Sequence, residues 1–218
     1  MKIDLPVIVP KDIKPGWEGH FELFSWYTSL INIPVNVFMV TTLKDNGAAN
    51  VQLNAWGMII GSGKEPKFIL QVGIESDTYK LIEKTKEFVI SIPSYNLKDK
   101  LYNAAKHYEE DTDEVLASGF NHEPSSVIKT PGIKECFAHY ECVLDWMRTV
   151  EDDNKINALV QGKIVNAKVE EDCFGDTNKE TFLKTSPAYM IYEPYYHASR
   201  TIGNNGGLCR LNTEDINN

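Results

Sequence analysis

The chain has 218 residues, of which 42% are hydrophobic, and its formal net charge is −9. This length allows one sizeable core, while the negative charge disfavours a nucleic-acid or anionic-membrane partner, because both surfaces reward Lys and Arg. No apolar stretch approaches the roughly 20 residues that span a bilayer, and the N-terminus has no basic region followed by a long apolar run. We therefore expect a cytoplasmic protein with no membrane partner, folded as one domain over residues 1–218.

The first part of the chain predicts a helix and a β-hairpin. Residues 19–32 place aromatic and aliphatic side chains at helical spacing, and Pro34 ends this segment. Residues 35–43 are rich in β-branched and aromatic side chains, which is typical of a buried strand. Asp45-Asn46-Gly47 accepts positive φ angles, so residues 49–58 are expected to return antiparallel to the first strand.

The next segments alternate between strands and one short helix. Residues 67–74 predict a third strand, and residues 77–84 predict a helix with Ser76 or Asp77 as its N-cap. Residues 87–92 predict a fourth strand, which Pro93 ends.

The second half of the chain predicts a polar helical stretch and then a long hairpin. We expect residues 97–118 to be helical, residues 137–150 and 156–169 to be paired strands, and residues 151–154 to turn between them. The last fifty residues have an irregular pattern. Hairpins with short helices between them favour an all-β barrel with inserted short α-helices over regular βαβ units, and no GxGxxG motif follows a strand.

The segment from Asn50 to Trp56 follows the predicted hairpin turn and has the chemistry of a ligand site. The side chains of Asn50 and Asn54 can donate hydrogen bonds, Ala55 is small enough for a ligand to approach the backbone, and Trp56 offers a flat surface. The alternative is a buried strand whose Asn side chains satisfy turn carbonyls, and composition alone favours that alternative.

The start of the predicted helix at Thr78 offers unpaired N–H groups and a partial positive charge, a combination that binds phosphate. Capping by Ser76, Asp77 and Thr78 explains the same residues without a ligand, and remains open.

The four cysteines form no CxxC pair and are too sparse for a disulfide framework, which fits a reducing compartment. Cys136, His139 and Cys142 suggest a metal site, but on a strand His139 faces away from both cysteines. We therefore favour ordinary packed cysteines and expect no metal. His107 and His122 belong to a predicted surface insertion that is a possible lid.

The order of short motifs between Pro34 and Pro93, together with the C-terminal end, resembles the flavin reductase-like family, which includes flavoredoxins. The motifs, in chain order, are Val40-Thr41-Thr42, Asp45-Asn46-Gly47, Asn50 with Ala55-Trp56, Pro66, Thr78 with Ile82, Glu87-Phe88-Val89 with Pro93, and Tyr195-Tyr196-His197-Ala198-Ser199-Arg200-Thr201-Ile202-Gly203. The resemblance covers most of the chain and is weakest over residues 97–132.

This resemblance implies a split β-barrel of Greek-key type and a homodimer that binds one FMN per subunit near the dimer interface. It places the 50–56 segment and two neighbouring strands around the flavin, and Ser76 and Thr78 at its phosphate. It also implies a place near the ring for His197 as a possible proton relay, with an ordinary packed histidine as the alternative. The residues implied at the cofactor are Thr41, Thr42, Asn50, Val51, Gln52, Leu53, Asn54, Ala55, Trp56, Gln71, Val72, Gly73, Ser76, Thr78 and His197.

Two positions depart from the family pattern. Many relatives carry Arg or Lys just before the Thr, whereas this chain has Ser76-Asp77, and an Asp repels phosphate. Either another cation replaces it, with Lys80, Lys84 or Arg200 as candidates, or FMN binds more weakly. Ala55 stands where a small polar residue is common, which removes one hydroxyl donor.

Three functions follow from these patterns. The first is an FMN-dependent oxidoreductase of the flavin or ferric reductase type, which passes electrons from NADH or NADPH to a small-molecule or protein acceptor. The second is an FMN-binding electron carrier that serves a partner protein. The third is a split-barrel module that has lost flavin and binds another small molecule.

Overall fold

The computed structural model describes most of the chain. The described residues are 6–9, 11, 26–29, 33–150, 157–191 and 207–210. The strands within them are β1 (Val35–Asn36), β2 (Phe38–Leu43), β3 (Ala49–Asn54), β4 (Gly57–Ser62), β5 (Glu65–Gly73), β6 (Glu87–Ile92), β7 (His122–Glu123), β8 (Gly132–Ile133), β9 (Ala138–Thr149), β10 (Asn157–Val169), β11 (Tyr189–Ile191) and β12 (Gly207–Cys209). The α-helices are α1 (Asp77–Thr85), α2 (Lys98–Leu101), α3 (Glu114–Ala117) and α4 (Asn178–Thr185), and 3₁₀ turns cover Trp26–Ser29, Tyr95–Leu97, Tyr102–Ala105 and Glu171–Cys173.

Seven strands form one antiparallel sheet in the order β3-β2-β6-β9-β10-β5-β4. Strands β3 and β4 stand at opposite ends of this order, yet only residues 55 and 56 separate them in the chain. The sheet must therefore curl until its two ends meet, which makes it a barrel.

The barrel closes through main-chain and side-chain bonds at the β3–β4 connection. The N–H of Gln71 on β5 donates to the carbonyl of Trp56 at 2.9 Å. The side-chain amide of Asn54, at the end of β3, donates to the carbonyl of Gln71, also at 2.9 Å. The side chain of Asn54 thus links β3 to β5, which lies near the other end of the strand order.

Strand β2 is buried on both faces, which explains its unbroken apolar run. Phe38 and Val40 point into the barrel, where they pack with residues such as Phe88 and Leu70. Val37 and Met39 belong to a second core outside the barrel. That outer core is completed by a segment between β6 and β9, and its buried members include Leu101, Ala104, Val115, Phe120, Ile133 and Cys136.

Two small sheets complete the architecture of the described residues. Strand β11 lies between β1 and β12 in a three-stranded antiparallel sheet, and β7 pairs with β8. Among the residues that the structure describes, no helix has both the length and the apolar character to cross a membrane.

Several predicted elements are confirmed. The Asp45-Asn46-Gly47 turn joins β2 and β3 as an antiparallel hairpin, and Gly47 has a φ of 84°. Helix α1 begins after Ser76, whose hydroxyl accepts a hydrogen bond from the N–H of Tyr79. Strand β6 has the predicted bounds.

Other predicted elements are wrong. Residues 49–58 are not one strand, because the side-chain oxygen of Asn54 accepts from the N–H of Trp56 at 2.7 Å and turns the chain there. Residues 97–118 hold only short helical turns, and an irregular connection with a turn at residues 109–112 runs between them. The end of the chain is more regular than expected, since it contains α4, β11 and β12.

Two predictions fall partly or wholly outside the described residues. Of the helix predicted over residues 19–32, the structure describes only the 3₁₀ turn Trp26–Ser29. The turn predicted over residues 151–154 lies outside the described part, although the strands on either side of it pair as expected.

Candidate functional site

Strand β3 is an edge of the large sheet, and its outward N–H groups are the starting point of the site. The N–H of Ala49 donates to the carboxylate of Asp113 at 3.1 Å, and the N–H of Val51 donates to that of Glu114 at 3.2 Å. By the alternation of a strand, the N–H of Leu53 points the same way. The first half of this edge is therefore capped by side chains from α3 and its N-cap, and the second half runs on towards Trp56.

A polar cavity of about 250 Å³ opens beside this edge. It lies between β3, the start of α1 and the segment around Lys106. Its lining residues are Asn50, Val51, Gln52, Leu53, Glu75, Ser76, Asp77, Thr78, Ala104, Ala105, Lys106, His107, Tyr108 and Glu114.

Asn50 is the centre of a buried polar network in the wall of this cavity. Its amide oxygen accepts hydrogen bonds from the hydroxyls of Thr42 and Thr78, both at 3.0 Å, and its NH₂ group donates to both carboxylate oxygens of Glu114. The opposite orientation of the amide would set its oxygen against that carboxylate. The network joins β2, β3, α1 and α3, and it fixes the position of Thr78 at the start of α1.

Glu114 is buried, and its charge is compensated by Lys44. The two side chains, 7% and 9% exposed, form an ion pair at 2.8 Å. Lys44 also donates to the main-chain carbonyls of Glu110 and Thr112. A buried carboxylate is stable only if it has a counter-ion and hydrogen bonds. The ion pair with Lys44 therefore stabilises the charged form of Glu114 beside the cavity.

Asp113, the N-cap of α3, is held in its charged form by its neighbours. Burial acts to raise the pKa of this carboxyl, but hydrogen bonds from the N–H groups of Leu116 and Ala49 and from His122 together lower it. The side chain of His122 lies 3.0 Å from the Asp113 carboxylate. His122 therefore stabilises the cap of α3 and does not line the polar cavity.

The buried side-chain oxygen of Gln52 has no hydrogen-bond partner among the described residues. Since Gln52 lines the polar cavity, this oxygen is an acceptor that a ligand hydroxyl can satisfy.

A second, larger and mostly apolar cavity of about 530 Å³ lies at the other end of β3. Trp56 and Ala55 contribute to it from the β3–β4 connection, and β4, β5 and β10 form its floor. Its lining residues are Pro34, Val35, Asn36, Ala55, Trp56, Gly57, Met58, Ile69, Leu70, Gln71 and Leu159.

The structure brings most of the predicted site residues to these two cavities. The polar cavity contains Asn50, Val51, Gln52, Leu53, Ser76 and Thr78. The apolar cavity contains Ala55, Trp56 and Gln71. Asn54 lies between the two and bonds to Trp56 and Gln71.

The remaining predicted site residues line neither cavity. The hydroxyl of Thr41 donates to the carbonyl of Pro131, Thr42 supports Asn50 from behind, and Val72 packs in the barrel core. Gly73 accepts hydrogen bonds from the N–H and the hydroxyl of Ser76. His197 and Arg200 lie outside the described residues.

Sequence reasoning missed two parts of the site. Residues 104–108 and Glu114 reach the polar cavity from a segment fifty or more residues after the end of β3, and no local pattern indicates that contact. Met58 and Ile69 at the apolar cavity were detectable as apolar residues of strands, but neither of them was assigned to the ligand site from the sequence.

The cysteine and histidine pattern on β9 belongs to the packed interior. Among the described residues, no three His, Cys, Asp or Glu side chains are placed to hold a metal ion. Nδ1 of His139 lies 3.1 Å from the hydroxyl of Ser91. Burial lowers the pKa of His139, and burial raises the pKa of the Cys136 thiol.

Comparisons with known proteins give this fold and site a context. Residues 30–200 match the family model described as the flavin reductase like domain. An uncharacterised protein of Methanothermobacter thermautotrophicus is 31% identical over 166 residues, which cover 75% of this chain and 76% of that protein.

Two solved structures share the fold. Nitrilotriacetate monooxygenase component B from Bacillus cereus superposes with a TM-score of 0.74 at 18% identity, over 96% of this chain and 98% of the other. An FMN-binding protein from Thermus thermophilus, solved with p-hydroxybenzaldehyde, superposes with a TM-score of 0.64 at 19% identity, over 85% and 91% of the two chains. The predicted fold class, an all-β split barrel of Greek-key type with inserted short α-helices, is confirmed.

Proposed function

The chain belongs to the flavin reductase-like family, and from this premise we propose that it is an FMN-binding oxidoreductase that passes electrons from NADH or NADPH to an acceptor. The observation that carries the proposal is the arrangement along β3. One strand joins an apolar cavity beside an indole ring to a polar cavity at the start of a helix.

The apolar cavity suits a flat aromatic ring system. Its volume of about 530 Å³ falls within the range of small-molecule sites, roughly 300–1,000 Å³. Trp56 supplies a flat surface, and the methyl side chain of Ala55 lets a planar ligand approach the backbone. We propose that the isoalloxazine ring lies in this cavity.

The polar cavity suits the ribityl phosphate tail. At about 3.3 Å per residue, the path from Asn50 to Ala55 is comparable to the long dimension of FMN. The unpaired oxygen of Gln52 is an acceptor for a ribityl hydroxyl. Ser76 and Thr78 line the cavity at the start of α1, where the helix N-terminus favours an anion. Their hydroxyl protons are already donated to the carbonyl of Gly73 and to the side-chain oxygen of Asn50, so the attraction here comes from the helix N-terminus.

In this proposal the protein positions the cofactor and shields it. FMN supplies the hydride and single-electron chemistry when it is bound. The hydrogen bond from the N–H of Trp56 to Asn54 holds the backbone beside the apolar cavity in one conformation. The apolar walls from β4 and β5 exclude water from the space assigned to the ring, and the Asn50 network holds the tail end of the site rigid.

We also propose a homodimer formed on the face that carries the apolar cavity. Strand β4 is an edge strand of the large sheet. Met58, which lines the apolar cavity, is 60% exposed, and Ile59, on the opposite face of the strand, is 52% exposed. Exposed apolar side chains on an unpaired edge favour association. Sedimentation equilibrium tests this: a monomer at micromolar concentration would refute it, and Met58→Lys should weaken a dimer.

The test of the proposed function begins with a titration. FMN is added to the purified protein, and binding is followed by flavin fluorescence and by the visible absorption spectrum of the gel-filtered complex. NADH and NADPH are then added without oxygen, and oxidation of each is measured with free flavin or a ferric complex as acceptor. Bound flavin that either nucleotide bleaches supports the reductase, whereas a protein that binds no flavin refutes the proposal. Bound flavin that neither nucleotide reduces favours the electron carrier.

A further inference from the structure

The polar cavity carries an excess of acidic side chains for a site that takes a phosphate. Glu75, Asp77 and Glu114 all line it. A phosphate monoester carries about two negative charges above pH 7, so uncompensated carboxylates at this distance would repel it.

Two of the three carboxylates are compensated by lysines. Glu114 pairs with Lys44 at 2.8 Å, and Glu75 pairs with Lys80 at 3.3 Å. Asp77 remains, at the first turn of α1, where the helix N-terminus favours its charge. The wall of the cavity is therefore left with one carboxylate that no lysine neutralises among the described residues.

Lys106 is the lysine that lines the cavity itself. Among the described residues it forms no ion pair, in contrast to Lys44, Lys80 and Lys84. Lys84 pairs with Asp45 and does not line the cavity, so it is committed elsewhere.

The backbone at Lys106 is held in place on both sides. Its own N–H donates to the carbonyl of Asn103 at 3.0 Å, and the hydroxyl of Tyr108 donates to the same carbonyl. Further along, the amino group of Lys44 binds the carbonyls of Glu110 and Thr112. Because the segment is already ordered by the β2–β3 hairpin, ligand binding by Lys106 has to restrict only its side chain and not the backbone.

We propose that Lys106 supplies the positive charge that pairs with the phosphate of FMN and so makes the site select FMN over riboflavin. The proposal rests on the proposed function, since it concerns the tail of the same cofactor. It assigns the preference for FMN over riboflavin to a residue of the segment between β6 and β9. This segment is remote in sequence from β3 and α1, which also line the cavity.

The experiment compares two ligands that share the ring and differ in the phosphate. Dissociation constants of FMN and riboflavin are measured at pH 8 by fluorescence titration of the full chain, for the wild type, Lys106→Met and Lys106→Arg. We expect Lys106→Met to weaken FMN binding roughly tenfold, the scale of one lost charge-assisted hydrogen bond. Riboflavin binding should change less than about twofold, and Lys106→Arg should restore most of the FMN affinity.

Lys64→Met is the matched control, because it removes the same charge from the exposed β4–β5 turn, away from the polar cavity. It should leave both dissociation constants unchanged. An unchanged ratio of FMN to riboflavin affinity in Lys106→Met would overturn the inference while leaving flavin binding intact. If the wild type bound neither flavin, the proposed function and the inference would fall together.

Discussion

The side-chain amide of Asn54 donates to the main-chain carbonyl of Gln71 across the closure of the barrel, and its oxygen accepts from the N–H of Trp56. One side chain, 5% exposed, therefore sets both the barrel seam and the turn that leads into the apolar cavity.

We predict that Asn54→Ala lowers the free energy of unfolding by about 1–3 kcal/mol, because it removes two hydrogen bonds to partly buried main-chain groups, the carbonyl of Gln71 and the N–H of Trp56. Urea denaturation followed by circular dichroism measures the change. Asn96→Ala is the control: Asn96 is exposed, and this substitution should stay within about 0.5 kcal/mol. Equal effects of the two substitutions would mean that the Asn54 bonds contribute little.

Gly162 on β10 faces the barrel core, where a Cβ would lie 2.5 Å from the ring of Phe88 and 3.0 Å from Cβ of Cys142. Gly162→Ala should therefore destabilise the protein by about 1–3 kcal/mol through overpacking. Gly63→Ala adds the same methyl group in open space and should be close to neutral. Thermal unfolding of the two variants side by side distinguishes a steric effect from a general effect of removing glycine.

Glu141 on β9 is 1% exposed, and its carboxylate accepts hydrogen bonds from the N–H groups of Ser126 and Val127 and from the side chain of Asn166. Burial acts to raise the pKa of Glu141, but these bonds together hold it below the ordinary value of a glutamate. A carboxyl whose pKa is lower in the folded state adds stability that is fully present above its unfolded pKa and is lost as the pH falls.

We therefore predict that Glu141→Gln costs about 2–4 kcal/mol at pH 7 and that the difference from the wild type shrinks as the pH falls below about 4.5. Denaturant midpoints measured from pH 7 to pH 3 check this. Glu83→Gln, on the exposed face of α1, should show neither effect. A pH-independent cost would show that the charge of Glu141 is not what stabilises the protein.

If the isoalloxazine ring lies beside Trp56, then Trp56→Leu should weaken FMN and riboflavin equally, by about 1–3 kcal/mol, the scale of an aromatic stacking contact. Lys106→Met, in contrast, should affect FMN alone. Trp146→Leu is the control, because Trp146 packs against Arg148 on β9 and lines neither cavity. Unchanged riboflavin binding in Trp56→Leu would mean that the isoalloxazine ring does not lie in the apolar cavity.

The parts of the fold that sequence predicted are those that local chemistry decides. The β2–β3 hairpin follows from Gly47 and its neighbours, and the start of α1 follows from the capping hydroxyl of Ser76. The turn at Ala55 was missed because it depends on where the side chain of Asn54 bonds, and Asn54 in a sequence is equally consistent with a continued strand.

The candidate site was predictable on one side only. Asn50, Ser76 and Thr78 come from adjacent elements, and the structure gathers them at one cavity. The opposite wall depends on Lys44, which binds three acceptors beyond residue 109, and on Glu114, which caps the edge of β3. In the sequence these residues are ordinary surface charges, because the contact that buries them is long-range.

The capping of β3 by Asp113 and Glu114 also covers part of an edge of the large sheet that could otherwise pair with a strand of another molecule. An uncapped edge strand offers a row of N–H groups that can recruit a strand from another molecule. On β3, two carboxylates already accept hydrogen bonds from the first two outward N–H groups. Each carboxylate also presents a negative charge to any approaching backbone. We expect cleavage of the chain within residues 106–112 to expose this edge and to promote aggregation, because the segment that lines the polar cavity also leads into the two residues that cap β3.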